Sequence, residues 1–67
     1  MGIVMVVVAT APDEVAAVRA RMVELGSPTV EVLAPSDGRR LLLAAMDELE
    51  ADRVVGALRR EGRLAVV

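Results

Sequence analysis

The sequence predicts a small α+β domain in which two helices cover one face of a four-stranded antiparallel sheet. Three observations indicate this fold: two long apolar runs lie 36 positions apart, a helix-start signal follows each run, and a glycine follows each predicted helix. The chain has 67 residues and therefore forms one domain. A chain this short buries only about 60% of its unfolded surface, so its core is small.

The first apolar run, residues 3–9 (IVMVVVA), predicts a strand that is buried on both faces at the centre of the sheet. Thr10 is predicted to cap the following helix, with Asp13 as its capping-box partner and Pro12 in the first turn. The helix is predicted to run to about Leu25. Its apolar stripe comprises Val15, Val18, Met22 and Leu25, widened by Ala11 and Ala16.

Gly26 is predicted to end this helix, and Pro28 to prevent its resumption. Residues 29–34 (TVEVLA) alternate, which predicts an edge strand carrying Glu31 on its outer face. Residues 35–38 (PSDG) predict the turn of a hairpin, with Gly38 where a positive φ is needed.

The second half repeats this order from residues 39–45 (RRLLLAA), the other predicted central strand. Asp47 and Glu50 form a second predicted capping box, and the helix runs to about Glu61. Gly62 ends it, and residues 63–67 (RLAVV) form the last strand. The predicted buried positions of this helix are Ala51, Val54, Val55 and Leu58.

Shifting the chain by 36 positions lays residues 39–67 on residues 3–31 without a gap. Two such βαβ units in the order β-α-β-β-α-β predict a ferredoxin-like, split-βαβ two-layer sandwich over residues 1–67. Right-handed crossovers give the antiparallel strand order 4-1-3-2, which puts the two most apolar runs at the centre.

Both helices are predicted to pack on one face of the sheet, leaving the other face open. On the edge strands, Val30, Val32, Leu64 and Val66 are expected to face the helices. Thr29, Glu31, Leu33, Arg63, Ala65 and Val67 are expected to face away. The open face would then be apolar at its middle and rimmed by Glu31, Arg40 and Arg63. We expect a homodimer through this face or through an edge strand such as 63–67, the alternative being a monomer that tolerates the patch.

The composition excludes several kinds of chemistry. The chain lacks cysteine and histidine, which excludes thiolate and imidazole metal sites. Its net charge is −2, which argues against a nucleic-acid partner. The first apolar run lacks a basic n-region and is too short to span a bilayer, so we expect a cytoplasmic protein without a membrane partner.

Two groups of charged residues are candidate sites. Asp13 with Glu14, and Asp47 with Glu48, could act as acid and base, since both helix starts are expected to lie at the same end of the pseudo-symmetric fold. Helix capping is the favoured role for both pairs. The arginines could bind an anion, although a solvated rim whose guanidiniums pair with Glu31, Glu61 and similar neighbours is favoured; these arginines are Arg39, Arg40, Arg59, Arg60 and Arg63.

Methionines at positions 5, 22 and 46 are interpreted as core filler because no other soft ligand accompanies them. We therefore predict no catalytic, cofactor-binding or metal-binding residue, no cofactor and no enzyme activity.

Several families that share the predicted fold have characteristic motifs, most of which this sequence lacks. The loop TAPDE lacks the C-x-x-C of heavy-metal-associated domains, and the central strands lack the aromatic residues of RNA-recognition motifs. No asparagine is present for an acylphosphatase. The stretch 6–14 (VVVATAPDE) resembles the start of trimeric CutA-type proteins over about ten residues. ACT-type sensors usually carry a glycine near the first strand–helix junction, which is absent here.

The sequence resembles de novo designed or reduced-alphabet proteins in style. Both helices have cap signals, the loops are short, the halves are nearly symmetric, and eight residue types are missing: Lys, His, Asn, Gln, Cys, Phe, Tyr and Trp. The resemblance implies an artificial scaffold without an evolved activity. The absence of Lys departs from usual design practice. An ordinary protein from a GC-rich genome remains an alternative, as does a natural ACT-like or CutA-like oligomeric module that binds a small molecule.

Overall fold

A computed structural model describes residues 2–27, 29–35 and 37–67 as a small α+β domain. Its elements follow in the order β1 Ile3–Thr10, a 3-10 turn Pro12–Glu14, α1 Val15–Glu24, β2 Glu31–Leu33, β3 Arg40–Asp47, α2 Glu48–Arg60 and β4 Leu64–Val66. The predicted classes and order of these elements are confirmed. The two edge strands are shorter than predicted, since each comprises only three residues.

The four strands form one antiparallel sheet in the order β2-β3-β1-β4. This is the predicted order 4-1-3-2 viewed from the opposite edge. The central strands β1 and β3 pair along their whole length, from Ile3 opposite Asp47 to Thr10 opposite Arg40. The two most apolar runs therefore lie side by side, where both of their edges are hydrogen-bonded.

Both helices pack on the same face of the sheet and share one hydrophobic core. Helix α2 lies over β1, β3 and β4, and α1 contacts β3. The buried residues of this core come from β1, β3, β4, both helices and the segment before β2, whereas β2 itself contributes none: Val6, Val8, Val18, Met22, Val30, Leu42, Ala44, Met46, Ala51, Val54, Val55, Leu58 and Ala65. All four buried positions predicted for α2 are confirmed. On α1, Ala11 and Ala16 are exposed rather than part of the stripe.

The two helix C-termini have the same hydrogen bonds, 36 positions apart. Gly26 and Gly62 adopt φ values of +108° and +86°, as a C′ glycine requires. The Ser27 N–H donates to the Met22 carbonyl at 3.0 Å, and the Arg63 N–H donates to the Leu58 carbonyl at 2.9 Å. The predicted repeat therefore extends to the backbone geometry that ends each helix.

The helix N-termini differ from each other and from the prediction. Thr10 does not cap a helix because it pairs with Arg40 in the sheet, and the chain enters α1 through a 3-10 turn without a side-chain cap. Asp47 does cap α2: its Oδ2 accepts from the Leu49 N–H at 3.0 Å. The carboxylate of Glu50 pairs with Arg53 rather than completing a capping box.

The predicted orientation is confirmed for Val30 and Val32 but wrong for β4. Val8 pairs with Ala65, so Ala65 faces the helices and is 2% exposed, whereas Leu64 is 70% and Val66 51% exposed on the open face. The two edge strands differ in orientation because the connection that follows each glycine differs in length. Strand β2 begins five residues after Gly26, but β4 begins two residues after Gly62, so the 36-residue correspondence is lost here.

The hairpin between β2 and β3 follows the predicted turn chemistry. Gly38 has a φ of +85°, and the Asp37 Oδ1 accepts from the Arg39 N–H at 3.0 Å. Two residues of the predicted loops, Pro28 and Ser36, lie outside the described residues.

Replacing Ser27 by alanine should stabilise the protein. The Ser27 side chain is 1% exposed, and its Oγ has no hydrogen-bond partner among the described residues. A buried hydroxyl without a partner costs about 1–3 kcal/mol, so S27A should raise the free energy of unfolding by about 1 kcal/mol. Urea unfolding followed by circular dichroism measures this, with T29A at an exposed position as the control. A loss of stability in S27A would contradict the prediction.

Two glycine-to-alanine substitutions should change stability in opposite directions. Gly62 has a positive φ, so G62A should lose about 1 kcal/mol although open space surrounds its Cα. Gly56 lies inside α2, where an added Cβ meets only the Arg60 side chain at 3.5 Å. G56A should therefore gain about 0.5–1 kcal/mol. Thermal unfolding compares the two variants, and equal shifts of the same sign would contradict the assignment.

Candidate functional site

The surface most suited to a function is the face of the sheet that the helices leave uncovered, here named the open face. The register puts every second residue of the central strands on it, together with outward residues of both edge strands. Its apolar members are Ile3, Met5, Val7, Ala9, Leu33, Leu41, Leu43, Ala45, Leu64 and Val66. All of them are exposed or partly exposed.

The apolar residues of the open face are continuous from one sheet edge to the other. One row joins Leu43, Val7 and Val66, and the next joins Leu33, Leu41, Ala9 and Leu64. The outward orientation of Leu64 and Val66 extends the patch to the β4 edge, which sequence alternation did not predict. The signal that could have revealed it is the short connection from Gly62 to the strand.

The rim of the open face differs from the prediction in one of its three members, Arg40. Glu31 is exposed on this face, in the row of Leu43. Arg40 alternates with Leu41 and lies on the helix side of the sheet, like the buried Leu42. Arg63 borders this face at its β4 edge, where it also forms an ion pair with Glu14 of the 3-10 turn.

Met5 also departs from its predicted role. Its side chain is 48% exposed on the open face, whereas Met22 and Met46 are buried in the core as predicted. The two faces of β1 therefore differ: Val6 and Val8 are covered by helices, and Met5 is in contact with solvent.

The free edge of β4 is covered by a side chain of α2. The Arg59 Nε donates to the Ala65 carbonyl at 2.8 Å. This carbonyl lies on the edge that another strand would use for pairing, so strand addition at this point would have to displace Arg59.

Among the residues that the structure describes, the open face has a depression toward each edge. A groove of about 560 Å³ at the β4 edge is lined by apolar residues of β1 and β4 and by Arg39, Arg59 and Arg63. A smaller hollow of about 280 Å³ near β2 is lined by Met5, Thr29, Glu31, Leu43 and Ala45. The first combines an aliphatic wall with guanidinium groups, and the second contains a carboxylate.

Rim arginines pair with neighbouring carboxylates, as predicted, although the partners are Glu14 and Asp37 rather than Glu31 and Glu61. Arg63 pairs with Glu14, and the Arg39 Nε lies 3.6 Å from an Asp37 carboxylate oxygen. Within the described part of the chain, no carboxylate lies within ion-pair distance of Arg59. Arg59 therefore retains guanidinium N–H groups that are available to an incoming acceptor.

The two acidic helix starts lie at opposite ends of the sheet, so the expectation that they share one end is wrong. The 3-10 turn with Asp13 and Glu14 follows the end of β1, and Asp47 pairs with the start of β1. Seven residues of strand separate the two ends, or about 24 Å. These carboxylates cannot act on one substrate. Across residues 2–27, 29–35 and 37–67, no group of three potential metal-ligating acidic side chains is present.

Arginine side chains join the two helices at the surface of the helix layer. The Arg21 Nη2 lies 2.7 Å from the Glu61 Oε2, and the Arg21 Nε donates to the same oxygen at 2.9 Å. These hydrogen bonds hold the pKa of the Glu61 carboxyl below its ordinary value of 4.5 and raise the pKa of Arg21, although desolvation opposes both changes. Arg53 donates to the Leu25 carbonyl and so joins the same, C-terminal end of α1 to the middle of α2.

No protein-family model matches the chain, and no curated protein matches it. Among the described residues, no helix has both the length and the apolar character needed to cross a membrane.

The Glu61 carboxyl should titrate below pH 4.5 in the folded protein, because Arg21 stabilises its charged form. Because the pKa of Glu61 is lower in the folded state, the ion pair with Arg21 contributes fully to stability above the unfolded-state pKa. That contribution is lost as the pH falls through the folded-state pKa. Carbon-13 NMR of the Glu61 side chain measures the midpoint. R21Q should raise this midpoint toward the ordinary value of a glutamate, whereas R19Q should not change it. A midpoint unaffected by R21Q would refute the assignment.

Proposed function

We propose that the chain is a non-catalytic scaffold that pairs with a second copy of itself through the open face. The observation that supports this most strongly is the apolar surface that continues across all four strands. Contiguous apolar patches of several hundred Å² are typical of association surfaces. The absence of a catalytic role is proposed from the alphabet, because His, Cys, Lys, Asn and Tyr are missing.

The fold we propose for this scaffold is the ferredoxin-like sandwich. The element order and the strand order β2-β3-β1-β4 support it. An artificial origin, by design or by simplification of the alphabet, is part of the same proposal. It is supported by the missing residue types and by helix C-termini whose hydrogen bonds repeat at an offset of 36 residues.

The open face is a better association surface than the β4 edge. Pairing along the edge would break the hydrogen bond from Arg59 to the Ala65 carbonyl, and β4 offers only three residues. Pairing through the face breaks no hydrogen bond described here and removes Leu64, Val66 and Ile3 from water. The expected dimer is therefore face to face.

The size of the open face sets the expected strength of the dimer. Strands lie about 4.8 Å apart and rise about 3.4 Å per residue, so the face spans about 400 Å² in projection. Specific interfaces need about 500 Å² of accessible surface from each copy. The open face is near this lower limit, so we expect a dissociation constant in the micromolar range.

The second candidate function is a natural ACT-like or CutA-like module that binds a small molecule where subunits meet. The groove at the β4 edge favours it, since three arginines border an aliphatic wall there. Addition of amino acids or nucleotides would raise the melting temperature of such a module and leave that of a scaffold unchanged.

Leu43→Lys should abolish the dimer without unfolding the monomer. Leu43 lies at the centre of the open face, where the dimer would bury its side chain and the monomer leaves it partly exposed. A buried lysine ammonium without a partner should raise the dissociation constant at least tenfold. Leu64→Lys, at 70% exposure on an edge strand, repeats the test where little monomer packing is at risk.

The matched control is Leu49→Lys, because Leu49 is 75% exposed on α2, in the helix layer. Sedimentation equilibrium from about 5 µM to about 1 mM spans the expected range. Interference optics are required because the chain has no aromatic residue. A parent chain that stays monomeric throughout, or equal effects of L43K and L49K, would overturn the proposal.

A further inference from the structure

We propose that the two copies pair about a twofold axis parallel to the strands, with Glu31 of each copy beside Arg59 of the other. This inference rests on the proposed face-to-face dimer and defines its geometry. It assigns a role to two charged residues at opposite edges of the open face. It also assigns an occupant, the partner's β2 edge, to the groove bordered by Arg59.

Glu31 and Arg59 lie at nearly the same level along the strands but at opposite edges of the sheet. The register aligns Glu31 with Leu43, Val7 and Val66 in one row. Arg59 is fixed next to this row because its Nε binds the carbonyl of Ala65. The sheet thus has a carboxylate on its open face at the β2 edge and, at the β4 edge, a guanidinium that extends from the helix side to the border of the groove.

A twofold axis in the interface can run along the strands or across them. An axis along the strands, between β1 and β3, places the β2 edge of each copy over the β4 edge of the other. Each Glu31 then meets the Arg59 side of its partner. An axis across the strands at the Glu31 row places Glu31 over the partner's Glu31 and brings two carboxylates together. Since like charges in contact are unfavourable, charge selects the first arrangement.

The apolar residues are compatible with the selected axis. It brings β1 of one copy over β3 of the other at the same level, so Met5 faces Ala45, Val7 faces Leu43, and Ala9 faces Leu41. A large side chain thus meets a small one at two of these three positions. At the edges, Leu64 of one copy meets Leu33 of the other. The strands of the two copies are parallel in this arrangement, and the strand directions of packed sheets usually differ by only about 30°.

The groove at the β4 edge is shaped for the partner's β2 strand. Its aliphatic wall, formed by Val7, Ala9, Leu64 and Val66, matches the Leu33 side chain, and its arginines match the Glu31 carboxylate. Arg59 is the best-placed of these arginines, because Arg63 and Arg39 already have carboxylate neighbours.

Charge reversal tests this geometry. E31R and R59E each place like charges at both symmetric contacts, so each should raise the dissociation constant of the dimer about tenfold. The double variant E31R/R59E restores opposite charges and should return to within about threefold of the parent. R60E, an exposed neighbour of Arg59, is the control and should change the constant less than twofold.

The comparison of double and single variants separates the contact between Glu31 and Arg59 from other effects of R59E. Loss of the hydrogen bond to Ala65 weakens R59E and the double variant alike. It therefore cancels when the effects of the two single variants are subtracted from the effect of the double variant. The neutral variant E31Q decides between the two axes: it should weaken the dimer here, but would strengthen one in which Glu31 faces Glu31.

The experiments can contradict the dimer geometry alone or the geometry together with the proposed association through the open face. If L43K dissociates the dimer but the double variant fails to recover, or E31Q strengthens the dimer, the geometry is wrong and the association surface stands. If the parent chain is monomeric, both fall together.

Discussion

The full-length pairing of β1 with β3 is the interaction on which the rest of the structure depends. Eight residue pairs join the two strands, and their apolar side chains supply both the buried face and the open face of the sheet. The edge strands have only three residues each and pair only with these two. Because the central ladder holds the sheet together, the helices need to cover only one side of it. The other side is left to solvent or to a partner.

The helix layer is held by packing and is bordered by polar contacts. Val18 and Met22 of α1 and Val54 and Leu58 of α2 are almost fully buried against the sheet. Arg21 and Arg53 join the two helices at the surface, where ion pairs contribute little each. The small core of a 67-residue chain is thus the main source of stability. Burial of the open face in a dimer would add apolar area that a single copy cannot bury.

Some charged residues act at the sheet edges rather than at a chemical site. Arg59 covers the carbonyl of Ala65, and Glu31 lies at the opposite edge. The first limits uncontrolled strand addition. Opposite charges at the two edges distinguish one orientation of a second copy from another, which a purely aliphatic surface would not do. In the proposed dimer, the apolar residues supply the driving force and these charges select the orientation.

The sequence by itself determined the element order, the central strands, the glycines that end the helices and the buried positions of α2. These follow from local periodicity and from the φ that Gly26 and Gly62 supply. Only the tertiary structure decided which side of β4 faces the helices, because that depends on the length of the connection after Gly62 and not on the alternation of Leu64–Val66. The same holds for Thr10, which pairs in the sheet instead of capping a helix, and for Arg59, whose partner is a strand-edge carbonyl. Alternation predicts that two faces exist, whereas packing decides which face is covered.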